Sequence, residues 1–218
     1  MAHPAPSTEK LRMTYEQYLQ WKGEDTRAEW VEGEVVLTMP PGNRHQDIGS
    51  FLGTLLRFFL DLTGLGEVRP APFEVYLPKR PASREPDLVV VLQENQPNLS
   101  EDRFTGAPDL LVEVVSEDSV RRDRVEKFLD YEREGVREYW LVESRPAHHD
   151  VEAFALEGET YVPIEVDGEG WLQSRVLPGF RLKPAWFAGE SLPDSLTALN
   201  EMLSPELRAQ LKRRLGAE

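Results

Sequence analysis

The ten residues from Ala107 to Ser116, "APDLLVEVVS", decide the fold prediction for this chain. Every position from Leu110 to Val115 except one is aliphatic, and such a run predicts a strand that is buried on both faces of a sheet. The exception is Glu113. Burying an ionised carboxylate is costly unless it is paired or bound to a metal. Glu113 is therefore either the ion-pair partner of a nearby Arg or Lys or part of a functional site.

Hydrophobic periodicity on both sides of this strand predicts a core in the order helix, strand, strand, strand, helix, strand. Gly64 and Gly135 each follow a periodic segment directly and end the two helices. This order predicts an α/β fold in which a mixed sheet packs against helices. The predicted elements are a helix over 13–21 with Thr14 as N-cap, a hairpin with Gly33 at its turn, a helix over 45–63, strands over 66–78, 86–91, 107–116 and 136–144, a helix over 119–135, and a meander over 150–183.

The length of 218 residues predicts a single domain over 10–190 and a C-terminal helical tail over 191–218. Leucine recurs at every fourth position from Leu199 to Leu215, and Ser204-Pro205 predicts a break between two helices. This leucine stripe packs either on the body of the protein or on a second subunit. A homodimer is therefore expected, with the tail as its contact.

Composition excludes several classes of protein. The chain has no cysteine, so it forms no disulfide and no thiolate metal site. It has no apolar run of about 18 residues or more and no apolar N-terminal stretch, which predicts a cytoplasmic protein without a membrane span. The net charge of −14 opposes non-specific binding to nucleic acid. A nucleic-acid partner must therefore be argued from a site and not from bulk charge.

Two Pro-Asp pairs could supply a second carboxylate beside Glu113. Asp109 precedes Glu113 by four residues on the same strand, so their Cα atoms lie about 13 Å apart, too far to share one metal easily. Asp87 belongs to a different strand that can pair beside Glu113, so geometry favours Asp87. Asp109 is then a turn residue that starts its strand. Two carboxylates and an adjacent backbone carbonyl suit Mg²⁺, which takes few protein ligands.

The helix that follows the central strand offers a cation. Asp123, Lys127 and Tyr131 recur at a spacing of four and form one stripe on it. The predicted apolar face of the helix is Val125, Phe128 and Leu129, and it places Lys127 well away from the core. On spacing alone, Asp123 and Lys127 form either an exposed ion pair of small value or part of the site.

The arrangement of these motifs resembles the PD-(D/E)XK nuclease superfamily. More closely, the chain is similar to the Uma-two family of restriction-endonuclease-like bacterial proteins. The resemblance covers about residues 12–185. Its middle part is specific, because the segment length, the order of the motifs and several polar positions all agree with the family pattern. The matching segments are "EWVEGEVVLTMPPGNRHQ", "EPDLVVV" and "GAPDLLVEVVSEDSVRRDRVEKFLDYEREGVREYWLVE".

The resemblance implies a restriction-endonuclease-like fold and a nuclease that uses Mg²⁺ or Mn²⁺ on nucleic acid, with DNA as the expected substrate. It implies Asp87, Glu113 and the carbonyl of Val114 as metal ligands. The superfamily's lysine should stand two residues after the glutamate, where this chain has Val115. In similar proteins the lysine lies on the following helix in the pattern D-x-x-x-K-x-x-x-Y. Asp123, Lys127 and Tyr131 match this pattern, which implies that Lys127 assists the attacking water.

His45 follows "PPGNR" at the start of the long helix, where the family pattern also places a histidine. It either contacts substrate or forms a local bond at the helix start. His148, His149 and Asp150 form a second cluster, which is more simply a solvated turn than a metal site. Trp30, Trp140, Trp171 and Trp186 are predicted to be packing residues.

Two other functions stay open at this stage. One is a catalytically inactive, dimeric binding or scaffold protein, which the acidic balance, the missing lysine after Glu113 and the leucine-rich tail favour. The other is a glycosidase with a carboxylate pair, which the motif order does not support. An active enzyme should bind a divalent cation, whereas the scaffold should not respond to one.

Overall fold

The computed structural model of the chain describes residues 11–23, 26–145, 148 and 150–216. A π-helical segment, Arg122–Lys127, continues directly into the helix that begins at Phe128. The helices are α1 (Tyr15–Trp21), α2 (Asn43–Thr63), α3 (Phe128–Glu134), α4 (Ser195–Met202) and α5 (Pro205–Arg214). The strands are β1 (Ala28–Val31), β2 (Glu34–Leu37), β3 (Gly66–Pro70), β4 (Glu74–Leu77), β5 (Ala82–Arg84), β6 (Leu88–Leu92), β7 (Arg103–Thr105), β8 (Leu110–Val115), β9 (Glu138–Glu143), β10 (Val151–Glu157), β11 (Thr160–Pro163), β12 (Leu172–Gln173) and β13 (Arg181–Leu182).

A six-stranded mixed sheet in the order β11-β10-β9-β8-β6-β3 forms the centre of the molecule. Strand β8, which carries the opening stretch, lies inside this sheet, antiparallel to β6 and parallel to β9. Helix α2 precedes β3, and the helix over 120–134 connects β8 to β9. The predicted order of helix, strand, strand, strand, helix, strand and the predicted α/β class are therefore confirmed.

The central sheet is covered on both faces, as the apolar run in β8 predicts. Val112 and Val114 face the core built on α2, whereas Leu111 and Val115 face a second core that contains Tyr131 of α3. Because side chains alternate along a strand, Glu113 shares the face of Leu111 and Val115. The glutamate therefore points toward the helix that carries Lys127.

A second sheet, in the order β2-β1-β5-β4-β7, covers the α3 side of the central sheet. Its β1 and β2 are the predicted hairpin, with Gly33 at φ +92°. The strand predicted over 66–78 is instead two strands, β3 and β4, which belong to different sheets. Strands β5 and β7 were not predicted, because three residues are too few to show a periodicity. The second sheet brings β1 and β5 beside the helix of Lys127.

The predicted orientation of the helix after β8 is wrong. Val125 and Leu129 are each 50% exposed, whereas Asp123 and Lys127 are each 2% exposed. Phe128 is half-buried and packs against the second core. The apolar stripe does not decide which face is buried, because the interior on this side contains carboxylates. Pairing of Lys127 with these carboxylates turns the polar face inward.

The C-terminal helices pack on the body of the protein. Ala198, Leu199 and Met202 belong to the core that also contains α2, and Ser204 caps α5 at the predicted break. Leu215, the last leucine of the stripe, is 71% exposed. The tail therefore uses most of its leucine stripe within the chain, and the dimer contact stays a prediction.

The four tryptophans singled out in the sequence are packing residues, as predicted. The exposed fractions of Trp30, Trp140, Trp171 and Trp186 are all 9% or less. Among residues 11–23, 26–145, 148 and 150–216, no helix combines the length and the apolarity that crossing a bilayer requires.

Candidate active site

The register of β6 and β8 places Asp87 beside Glu113. Leu88 of β6 pairs with Val112, so Asp87, one residue before the strand, lies next to Glu113 across the pair. The backbone N–H of Val114 donates to Asp87 Oδ2 at 2.6 Å. The two carboxylates that a metal site would need therefore come from adjacent strands.

Asp109 lies at the opposite end of β8 and belongs to a different set of bonds. Its carboxylate accepts from the Leu92 N–H at 2.7 Å and from Asn95 Nδ2 at 2.9 Å, and it pairs with Arg137 at 3.0 Å. Asp109 is fully buried. These partners fasten the start of the strand, which fits the turn interpretation of the second Pro-Asp pair.

The helix after β8 brings a cation and a hydroxyl to Glu113. Lys127 Nζ lies 2.8 Å from Glu113 Oε1, 3.0 Å from Glu29 Oε1 and 3.6 Å from Asp123 Oδ1. The Tyr131 hydroxyl donates to the same Glu113 oxygen at 2.9 Å. The stripe of Asp123, Lys127 and Tyr131 therefore faces Glu113, and the side chain of Lys127 reaches the sheet from the π-helical segment.

Two residues of this cluster, Glu29 and Arg84, were not predicted from the sequence as site residues. Arg84 Nη1 donates to Glu29 Oε2 at 2.8 Å, and Arg84 Nη2 donates to Asp130 Oδ2 at 2.6 Å. Glu29 lies between Ala28 and Trp30 in a buried strand, the same signal that singled out Glu113. The sequence does not predict its burial, because Glu32 and Glu34 follow it closely and make "AEWVEGE" look like a strand with one solvated face.

Lys127 faces three carboxylates, and the pKa values of these carboxylates are shifted in different directions. Burial alone would raise the pKa of Glu29, but Lys127 and Arg84 lower it to about 2. Burial raises the pKa of Glu113 well above its usual range, against the opposing effect of Lys127. Burial also raises the pKa of Asp123. Glu29, Glu113 and Asp123 share the single ammonium group of Lys127, and Glu29 pairs with Arg84 as well.

A cavity of about 330 Å³ is lined by Glu29, Glu113, Asp123 and Lys127. His45 also lines it, and its Nε2 lies 3.2 Å from Asp87 Oδ2. Leu37 and Met39, which are 68% and 74% exposed, stand at the wall of the same cavity. The sequence-predicted residues that the structure gathers around this cavity are His45, Asp87, Glu113, Val114, Asp123 and Lys127.

The donors around this cavity fit a hard divalent cation. They are carboxylate oxygens with a backbone carbonyl nearby, which is the ligand chemistry of Mg²⁺ and Mn²⁺. Asp123 Oδ1 is buried and has no hydrogen-bond partner among the described residues. Within the part of the chain that the structure describes, no group of three or more His, Cys, Asp or Glu side chains is arranged as a metal cluster. A cation held by two carboxylates and one carbonyl would keep several waters, as Mg²⁺ usually does.

The second histidine cluster is only partly described. His148 is exposed, and His149 lies outside the described residues. In the described ranges, no metal cluster involves His148 or Asp150.

Comparison with known proteins agrees with the fold and the motif order. The family model Uma2, described as "Putative restriction endonuclease", matches residues 15–185. A crystal structure of a "putative nuclease belonging to DUF820" from Anabaena variabilis superposes with a TM-score of 0.63 at 17% identity, covering 88% of this chain and 99% of that chain. That likeness shows a common fold. No protein with curated annotation matches the chain in sequence.

The type IIG restriction endonuclease BpuSI gives a TM-score of 0.37 at 15% identity, covering 83% of this chain and 18% of that chain, which is too low to indicate a common fold. The match to the family model spans most of the chain and includes both carboxylate strands and the helix of Lys127. It supports a nuclease-like function and confirms the resemblance found in the sequence. The chain belongs to the Uma2 family of restriction-endonuclease-like proteins.

Proposed function

We propose that this protein is a nuclease that hydrolyses phosphodiester bonds in nucleic acid, with DNA as its expected substrate, and that it requires Mg²⁺ or Mn²⁺. The observation that carries the proposal is the meeting of Asp87, Glu113 and Lys127 at one cavity. Residues from two strands and a helix contribute to this cavity, and the family model spans all three.

In this proposal, Asp87, Glu113 and the carbonyl of Val114 hold the cation. When bound, the cation supplies a Lewis acid for the charge that develops on the phosphate and lowers the pKa of a bound water. His45 Nε2, at 3.2 Å, and the Val114 N–H, at 2.6 Å, fix the orientation of the Asp87 carboxylate. Fixed ligands are the protein's own contribution to such a site.

Lys127 acts in this proposal as a fixed positive charge and hydrogen-bond donor. It pairs with Glu29 and Glu113 at 3.0 and 2.8 Å, so its ammonium group stays protonated at neutral pH. A protonated lysine orients the attacking water and stabilises negative charge, but it does not remove the proton. Tyr131 donates to Glu113 and holds that carboxylate toward the helix.

The test is cleavage of DNA and RNA by the purified protein with Mg²⁺, with Mn²⁺ and with EDTA. We expect cleavage only with a divalent cation. Asp87→Asn should lower the rate at least about 100-fold, because loss of groups that merely support a metal ligand already costs about 10- to 100-fold. The rates are measured with a labelled oligonucleotide well below the melting temperature of each variant.

Asp109→Asn is the matched control for Asp87→Asn, because both aspartates follow a proline and both flank the central sheet. Asp109 is bonded only at the far end of β8, so this change should destabilise the protein by about 1–3 kcal/mol and leave the cleavage rate at wild-type level. Equal losses of rate in the two variants would remove the distinction between the two Pro-Asp pairs. Absence of cleavage by wild type on every substrate would reject the proposed activity.

One observation favours a second candidate, a non-catalytic binding protein with the same fold. The ion pair between Lys127 and Glu113 joins side chains that are each about 3% exposed, an arrangement that a purely structural pair would also have. In that case Mg²⁺ or Mn²⁺ should not change the melting temperature. The nuclease instead predicts that millimolar cation raises it, since a ligand that binds only the folded state stabilises that state.

A further inference from the structure

A second cavity, of about 650 Å³, adjoins the candidate active site. The two cavities share Arg27, His45 and Asp87 among their walls. From His45 this second cavity follows one side of α2 as far as Phe58, about 20 Å along the helix. We call this cavity the α2 groove.

The α2 groove has a positive wall on a strongly acidic protein. The chain has 39 acidic and 25 basic residues, yet Asp87 is the one carboxylate among the described residues that line the groove, beside Arg27, Arg57 and His45. Arg57 is exposed, and its Nη2 donates to the Val68 carbonyl at 2.9 Å, which holds the guanidinium at the wall. A groove of this charge, leading from a phosphodiesterase site, complements a phosphate backbone.

Two further residues shape the groove for a base-bearing chain. Phe58 is 38% exposed and lines its far end. Exposed aromatic rings beside a positive groove are platforms on which the bases of single-stranded nucleic acid stack. Gly49 lies in the middle of α2, where a Cβ would meet nothing within 4 Å. Glycine destabilises a helix interior relative to alanine, and no packing contact requires it here, so its effect is to keep the groove open.

We propose that the α2 groove holds one strand of nucleic acid, with Arg27 and Arg57 at its phosphates and Phe58 against a base, and that the substrate is single-stranded where it is cut. A base can stack on Phe58 only when it is unpaired, because the bases of a duplex are already stacked on one another. This inference rests on the proposed nuclease function and deepens it by naming the form of the substrate.

The test separates binding from cleavage. Binding of a fluorescein-labelled single strand of about 12 nucleotides, and of the duplex of the same sequence, is measured by fluorescence anisotropy in EDTA. We expect the single strand to bind wild type at least about tenfold more tightly than the duplex. Gly49→Leu fills the groove and should weaken single-strand binding at least about tenfold, with a melting temperature at or above that of wild type, because leucine favours helix.

Asn200→Leu adds the same side chain at an exposed position of α4, outside the groove, and should change binding less than twofold. Arg57→Gln should weaken binding and reduce the slope of log affinity against log salt by about 0.7, the value for one phosphate contact to a single strand. Equal binding of strand and duplex, no binding of either, or wild-type binding by a folded Gly49→Leu variant would each overturn the inference.

Cleavage of the same two oligonucleotides with Mg²⁺ then distinguishes the two proposals. Binding that depends on Gly49 without cleavage by wild type rejects the nuclease and keeps the groove as a strand-binding site. Cleavage that is unaffected by Gly49→Leu rejects the groove and keeps the nuclease.

Discussion

The Glu113→Gln variant is expected to lose at least about 100-fold in cleavage rate and yet to unfold with almost the same free energy as wild type. The rate falls because a neutral amide is a poor cation ligand, whereas loss of groups that only support a ligand costs about 10- to 100-fold. Stability is kept because glutamine has nearly the same shape and its oxygen still accepts from Tyr131 and Lys127. Lys127 also keeps its ion pair with Glu29 at 3.0 Å in this variant.

Denaturant unfolding and a single-turnover cleavage assay measure the two effects on one preparation. We expect the unfolding free energy of Glu113→Gln to lie within about 1 kcal/mol of wild type in the absence of metal. With millimolar Mg²⁺, wild type should become more stable than the variant, because cation binding is linked to the folded state. A large loss of stability without any change in cation response would instead assign Glu113 to a structural ion pair.

The Lys127→Met variant is expected to show the largest loss of stability. Methionine fills a similar volume but leaves Glu29, Glu113 and Asp123 without the ammonium group that lies between 2.8 and 3.6 Å from each. Breaking a buried ion pair by removing one partner costs about 3–5 kcal/mol. For a chain of this size that corresponds to a fall in melting temperature of roughly 6–20 °C.

Divalent cations should return part of that loss. A cation held by Glu113 and its neighbours replaces some of the missing positive charge, so Mg²⁺ or Mn²⁺ should raise the melting temperature of Lys127→Met more than that of wild type. Lys183→Met is the matched control, because Lys183 pairs with Glu201 at 2.9 Å on the surface and its removal should cost less than about 1 kcal/mol. Equal, small losses in both lysine variants would contradict the buried cluster.

The fold and one half of the site could be predicted because they depend on local patterns. The apolar run of β8, the apolar periodicity of α2 and the glycines that end the helices each predict an element from local sequence alone. The distance along β8 between Asp109 and Glu113 was enough to favour Asp87 over Asp109. The strand register then determines the position of Asp87. Strand β6 runs antiparallel to β8 with Leu88 opposite Val112, which places Asp87 beside Glu113.

The other half of the site depends on contacts between distant segments. The buried face of the helix of Lys127 cannot be obtained from its apolar residues, because Val125 and Leu129 are half-exposed and the charged face turns inward. That choice needs Glu29 and Arg84, which come from two strands of the second sheet. Neither strand is long enough to show by itself that its charged residue is buried. The sequence shows Glu29 between two apolar residues, but it does not show that Lys127 and Arg84 are its partners.

The most direct test of the central claim, that Asp87 and Glu113 hold a divalent cation, is a crystal soaked in Mn²⁺ and measured for anomalous scattering. The claim predicts an anomalous peak in contact with the carboxylates of Asp87 and Glu113, on the wall of the cavity that Lys127 also lines. A crystal soaked to saturation in Mn²⁺ that shows no peak at these two carboxylates, or that shows peaks only elsewhere on the protein, would contradict the claim.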